Sequence, residues 1–135
     1  MITYNTETIG YINVFETLTK TQVNYCFLNN NELVFIVKEG EAGKAIGRHG
    51  KNIQHISRMI NKKIRVIEFN KDVVKFVSNL IHPINGNVYK SEENTISIQA
   101  KDTIDKAILI GRDRKNLKSI QNIVSKCFDV VIKIV

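Results

Sequence analysis

The sequence has little of what breaks regular structure and little of what cross-links it. One Pro and 7 Gly among 135 residues, beside 43% hydrophobic and 24% charged residues, exclude a disordered or low-complexity chain and predict a packed core. Only two cysteines occur, Cys26 and Cys127, far apart in apolar stretches and without CxxC or Cys/His ligand spacing. They are expected to be reduced, buried thiols, with neither a zinc site nor a disulfide framework. No apolar run approaches the roughly 20 residues that span a bilayer. The amino-terminal stretch MITYNTETIG lacks the basic-then-apolar order of a secretory signal, so a soluble, cytoplasmic chain with no membrane partner is expected. Also missing are GxxxxGK followed by Ser or Thr, HExxH, GxSxG and any paired-carboxylate cluster at catalytic spacing. No enzyme, metal or cofactor is therefore expected. The basic segments lack the aromatic pattern of an RRM, since the tyrosines and phenylalanines lie elsewhere.

Negative charge is the scarcer sign. Against 13 acidic residues stand 20 Lys plus Arg, a formal +7 that favours polyanionic partners. The excess is localised. Residues 38–68 hold eight Lys or Arg and three acids, residues 101–135 hold eight and four, and the rest of the chain is net negative. The same two regions are related in sequence. Residues 34–71 laid over residues 98–135 at an offset of 64 set Ile46-Gly47-Arg48-His49-Gly50-Lys51-Asn52-Ile53 on Ile110-Gly111-Arg112-Asp113-Arg114-Lys115-Asn116-Leu117, with five identities in eight positions. A period this long exceeds the roughly 20 to 50 residues of solenoids and propellers and predicts a duplicated small domain.

Both copies read in the same order. An amphipathic helix opens each, Thr6 to about Thr19 in the first and Lys71 to about Ile81 in the second, where Pro83 stops it. Extended runs at Val23–Leu28 and Leu33–Val37, joined through Asn29-Asn30-Asn31, predict a hairpin. A weaker pair lies around Val88-Tyr89 and at Thr95–Ala100. Two helices about a tight turn follow, and β-branched runs, Ile64–Phe69 and Val130–Val135, close the copies. In the longer helices Ile53, Ile56 and Ile60, and then Leu117, Ile120, Val124 and Cys127, mark core-facing sides. On another side Lys51, His55, Arg58 and Lys62 form a basic stripe, and Lys115, Asn122 and Lys126 stand on the matching stripe.

The turn Gly47-Arg48-His49-Gly50 carries the chemistry. A bare GxxG is equally a tight helix–helix turn, but here it opens a helix whose free N–H groups favour an anion, with Arg48 and Lys51 beside it. Glycines at both ends let a sugar–phosphate backbone come close. The string I-G-R-x-G-K-N-I, with a hairpin before it, an apolar face behind it and a strand after it, resembles the KH domain in its type II arrangement. That resemblance implies an α+β fold of two tandem type II KH domains, residues 1–69 and 70–135. Each would be α-β-β-α-α-β with a three-stranded sheet covered by helices. It also implies that the GxxG clamps about four nucleotides of single-stranded RNA while bases lie between the helix pair and a strand edge. The implied RNA-binding set is Ile46, Gly47, Arg48, His49, Gly50, Lys51, Ile53, His55, Arg58 and Lys62, with Leu33–Val37 as the edge strand framing the groove. In the second copy it is Gly111, Arg112, Arg114, Lys115 and Lys118. There the pattern departs, because Arg114 stands where the second glycine should be and Asp113 adds a carboxylate, which puts that clamp in doubt. A tandem pair in a short basic chain further resembles archaeal transcription termination and antitermination factors. The partners so implied are a nascent single-stranded transcript and RNA polymerase. A ribosome-assembly or RNA-processing factor is the alternative.

Overall fold

The computed structural model describes residues 5–135, which form two compact units, one ending at Asn70 and the other running Lys71–Val135. The first unit contains α1 (Thr6–Thr19), β1 (Val23–Asn29), β2 (Glu32–Val37), α2 (Ala42–Ile46), α3 (Lys51–Ile60) and β3 (Lys63–Glu68). The Asn5 side chain accepts from the Thr8 N–H to start α1, and Lys20 in the left-handed region ends it. Asn30, with φ of 58°, turns the hairpin between β1 and β2. Because β3 runs parallel to β2, the chain must cross over the sheet, and α2 and α3 make that crossover. Phe15 of α1 stacks on Phe35 of β2 with centroids 4.1 Å apart, and Cys26, Leu33, Val37, Ala45 and Ile56 complete the core.

The strand order is β1-β2-β3, so Leu33–Val37 is the central strand, hydrogen-bonded on both sides and fully buried. This corrects its expected place at the edge of a groove. Its central place comes from its second partner, β3, which pairs along the side opposite β1. The free edge on the crossover side is β3.

The second unit repeats the order with α4 (Val73–Ile81), β4 (Gly86–Glu92), β5 (Thr95–Ala100), α5 (Thr103–Ile110), α6 (Lys115–Ser125) and β6 (Val131–Ile134). Its sheet, β4-β5-β6, has the same mixed pairing. Helix α4 begins two residues later than its apolar pattern suggests, because Asp72 serves as cap and accepts from the Val74 N–H. The fixed offset of 64 does not hold throughout. Ile64 lies beside Leu33 in the first sheet and Ile132 beside Ile96 in the second, so β6 arrives four residues after the position the loop alignment assigns it. Those residues form the turn after α6. Cys127 falls in that turn and is half-buried rather than buried, and Ile123 joins Ile120 and Val124 in the core instead. Burial pushes both thiols up to about 12, which keeps them protonated and unreactive. Among the described residues no helix is long and apolar enough to cross a membrane.

Candidate nucleic-acid interface

Two short helices meet at a turn in each unit, and the two turns share one backbone. Gly47 has φ/ψ of 79°/171°, His49 57°/27° and Gly50 73°/16°. Gly111, Asp113 and Arg114 take 73°/171°, 55°/31° and 60°/19°. Three of the four positions thus lie at positive φ, including Arg114, which holds the left-handed conformation without being glycine. The first glycine is needed for another reason. A Cβ on Gly47 would stand 2.8 Å from the Asn52 side chain, and one on Gly111 would stand 2.7 Å from Asn116 Cβ. These asparagines bind the two helices together: Asn52 Nδ2 donates to the Lys44 carbonyl at 3.2 Å, and Asn116 Nδ2 donates to those of Ile108 and Leu109 at 3.0 and 3.1 Å. The motif's asparagine is a strut, which sequence reasoning had passed over. Its signal was present, since Lys-Asn recurs at the same distance from the first glycine in both copies. A Cβ on Gly50, by contrast, would meet nothing within 4 Å.

The helices that begin at these turns are left open. Asn or Asp side chains cap α1, α4 and α5, whereas α3 and α6 have no side-chain cap. The Lys51 and Lys115 N–H groups bond back to the Arg48 and Arg112 carbonyls, and the positive ends of the two helix dipoles lie beside the turns, an arrangement that favours an anion. Arg48, His49 and Lys51 are exposed around the first such end, and Arg112, Arg114, Lys115 and Lys118 around the second. Ile46, 39% exposed, borders the first turn.

Other members of the expected set fall elsewhere. Ile53 is half-buried against the core. His55 and Arg58, with Lys51, line a cleft of about 480 Å³ closed by Leu18 of α1, a cleft with no wall from β3. Lys62 is not on the stripe at all. Helix α3 stops at Ile60, Asn61 turns left-handed, and Lys62 sits in the connection to β3 with its carbonyl held by the Ser57 hydroxyl at 2.6 Å. In the second unit Arg114 and Lys118 do come together, on a cavity of about 460 Å³ between α6 and β6 that Leu117, Gln121 and Ile132 also line. Asp102, one of the few clustered acids, caps α5. Among the described residues, no group of three or more His, Cys, Asp or Glu is placed to hold a metal ion.

This geometry has relatives. The sequence profile of the family described as KH domain matches residues 10–94. A probable transcription termination protein NusA of Methanococcus vannielii is 39% identical over 83 residues, 62% of this chain and 48% of its own length. The chain thus spans about half the length of that relative. The proteins of the same name from Halococcus morrhuae and Thermoplasma acidophilum are 25% and 28% identical, the match covering 96% of this chain and 94% and 92% of theirs. The crystal structure of the protein APE1850 superposes with a TM-score of 0.80 at 33% identity, covering 98% of this chain and all of that one. The family is non-enzymatic. A profile that matches most of the chain, joined to paired glycine-bearing turns that open uncapped helices on mixed three-stranded sheets, means that the chain belongs to the KH domain family and is related to archaeal probable transcription termination protein NusA.

Proposed function

We propose that the protein binds single-stranded RNA and acts on nascent transcripts in transcription termination and elongation, in the cytoplasm and beside RNA polymerase. The observation that carries this reading is the exposed turn Gly47–Gly50. It sets Arg48, His49 and Lys51 around an uncapped helix end, with open space where a Cβ of Gly50 would project. A phosphate chain can approach such a surface closely and be held without its sequence being read. Bases then fall toward β3, the strand on which α2 and α3 both pack and which lies at the end of the sheet order. The relatives named for transcription termination support this choice of cellular setting.

Two measurements test it. A short single strand should bind better than a perfect duplex, whose stacked bases cannot enter such a groove. Log affinity should fall with log salt at a slope of roughly −3, as expected for about four or five neutralised phosphates on a single strand. Equal affinity for duplex, or a slope near zero, refutes the reading. Crosslinking in cells followed by sequencing of the bound RNA tests the setting: nascent transcripts support it, and ribosomal RNA precursors move the protein to ribosome assembly.

A further inference from the structure

The outer edge of the closing strand differs between the copies. In a parallel pair alternate residues direct N–H and C=O toward the neighbour strand and the others direct them outward. Phe69 donates to the Val37 carbonyl and Val135 to that of Ile98, so the outward residues are Ile64, Val66 and Glu68 in β3 and Ile132 and Ile134 in β6, the first of each preceded by an outward carbonyl, Lys62 or Val130. Unpaired edge groups of this kind are ready to bind any ligand that offers an adjacent donor and acceptor.

In the first copy Ser57 donates its single hydroxyl to the Lys62 carbonyl and cannot span both groups. In the second copy the corresponding helix position is Gln121. Its Nε2 donates to the Val130 carbonyl at 2.9 Å, and its Oε1 accepts from the Ile132 N–H at 2.8 Å. A carboxamide presents the same neighbouring donor and acceptor as the hydrogen-bonding edge of a nucleobase. This stretch of the edge is already occupied from within. On the same cavity the first copy's Gly50 and Gln54 are replaced by Arg114 and Lys118, two cations.

We infer that Gln121 is a built-in substitute for a base. It closes the Val130–Ile132 stretch of the second copy's strand edge, where a base would pair beside the turn, so that this copy holds RNA through phosphates at Arg114 and Lys118 while base discrimination belongs to the first. This inference rests on the RNA-binding reading above.

The test uses the full chain with eight-nucleotide oligo(A), oligo(C), oligo(G) and oligo(U), following backbone amides by NMR. In the unaltered protein the Ile132 amide should exchange slowly and keep its resonance at saturation with each oligomer, while the Arg114 and Lys118 amides shift. In Gln121→Ser the Ile132 amide should exchange about tenfold faster and respond to RNA. The spread of affinities among the four oligomers should widen about fivefold, the scale of one or two net hydrogen bonds. An Ile132 resonance that moves differently with each oligomer in the unaltered protein overturns the inference. So does a Gln121→Ser protein with unchanged exchange and discrimination. Should Gln121→Ser not fold, the unaltered protein's Ile132 amide decides alone. Absence of RNA binding by the unaltered protein fails the functional reading itself, whereas binding with a base-responsive Ile132 fails only this inference.

Discussion

The turns Gly47–Gly50 and Gly111–Arg114 trace the same backbone angles with different chemistry on them, one ending in glycine and the other in arginine. The pair shows which parts of the motif make the shape and which make the surface. Shape comes from the first glycine and from the asparagine five residues later, which leave no room for a Cβ between them. The last glycine contributes only tolerance of positive φ, and Arg114 shows that the fold manages without it. What the last glycine provides is emptiness, a place where a ligand's backbone can lie against the chain. Replacing it exchanges a surface that is approached for a side chain that reaches out.

The largest effect expected from this comparison is on folding. Gly111→Ala sets a Cβ 2.7 Å from Asn116 Cβ and 2.8 Å from its backbone nitrogen, neither of which can swing away. Added to the strain of an alanine in a region populated by glycine, the cost should be about 3 kcal/mol or more. Gly47→Ala meets the Asn52 carboxamide most closely, which can rotate at the expense of its bond to the Lys44 carbonyl, and stands 3.1 Å from Asn52 Cβ, which needs to give by only a few tenths of an ångström. A smaller loss, about 2 kcal/mol, is expected there. Urea titration of both variants measures the difference, and equal losses would show that the two struts are equally rigid.

Next in size is the removal of the first turn's cations. Arg48→Asp combined with His49→Asp should weaken binding of a short single strand by about tenfold to a hundredfold, as two phosphate contacts become repulsive. The fold should persist. Both side chains are exposed, and Asp113 already occupies the position of His49 at φ of 55° in the second copy. Unchanged circular dichroism with unchanged RNA affinity would move the clamp away from this turn.

How much of this was legible in the sequence depends on the range of the interaction. The order of elements, the duplication and the turn were readable because they rest on local apolar spacing and on residues a few positions apart. The central place of Leu33–Val37 was not, because an unbroken apolar strand reads alike at an edge and in the middle until its second partner is known. Lys62 was misplaced for a local reason: the left-handed Asn61 ends α3 and breaks the helical spacing that had aligned Lys62 with Arg58. The four-residue delay of β6 hid the match between Ser57 with Lys62 and Gln121 with Val130, contacts across five and nine residues that a fixed offset sets out of register.

The smallest effects come from exchanging the one residue that distinguishes the two turns. In Gly50→Arg the new Cβ enters open space, so the only folding cost is that of a left-handed non-glycine residue, about 1 kcal/mol. Arg114→Gly should recover a similar amount, less what glycine's added freedom costs in the unfolded chain. Binding separates two mechanisms. If RNA is held by general attraction to positive charge, Gly50→Arg tightens it and Arg114→Gly loosens it, both in proportion to net charge. If the first copy is approached by the RNA backbone and the second grips with its side chain, both substitutions loosen it, each by about threefold, the value of a single modest contact. The discriminating sign is that of Gly50→Arg, measured against one short RNA at fixed salt. A gain in affinity there abolishes the distinction between an empty turn and an armed one, and a loss in both variants establishes that two identical backbones are used in two different ways.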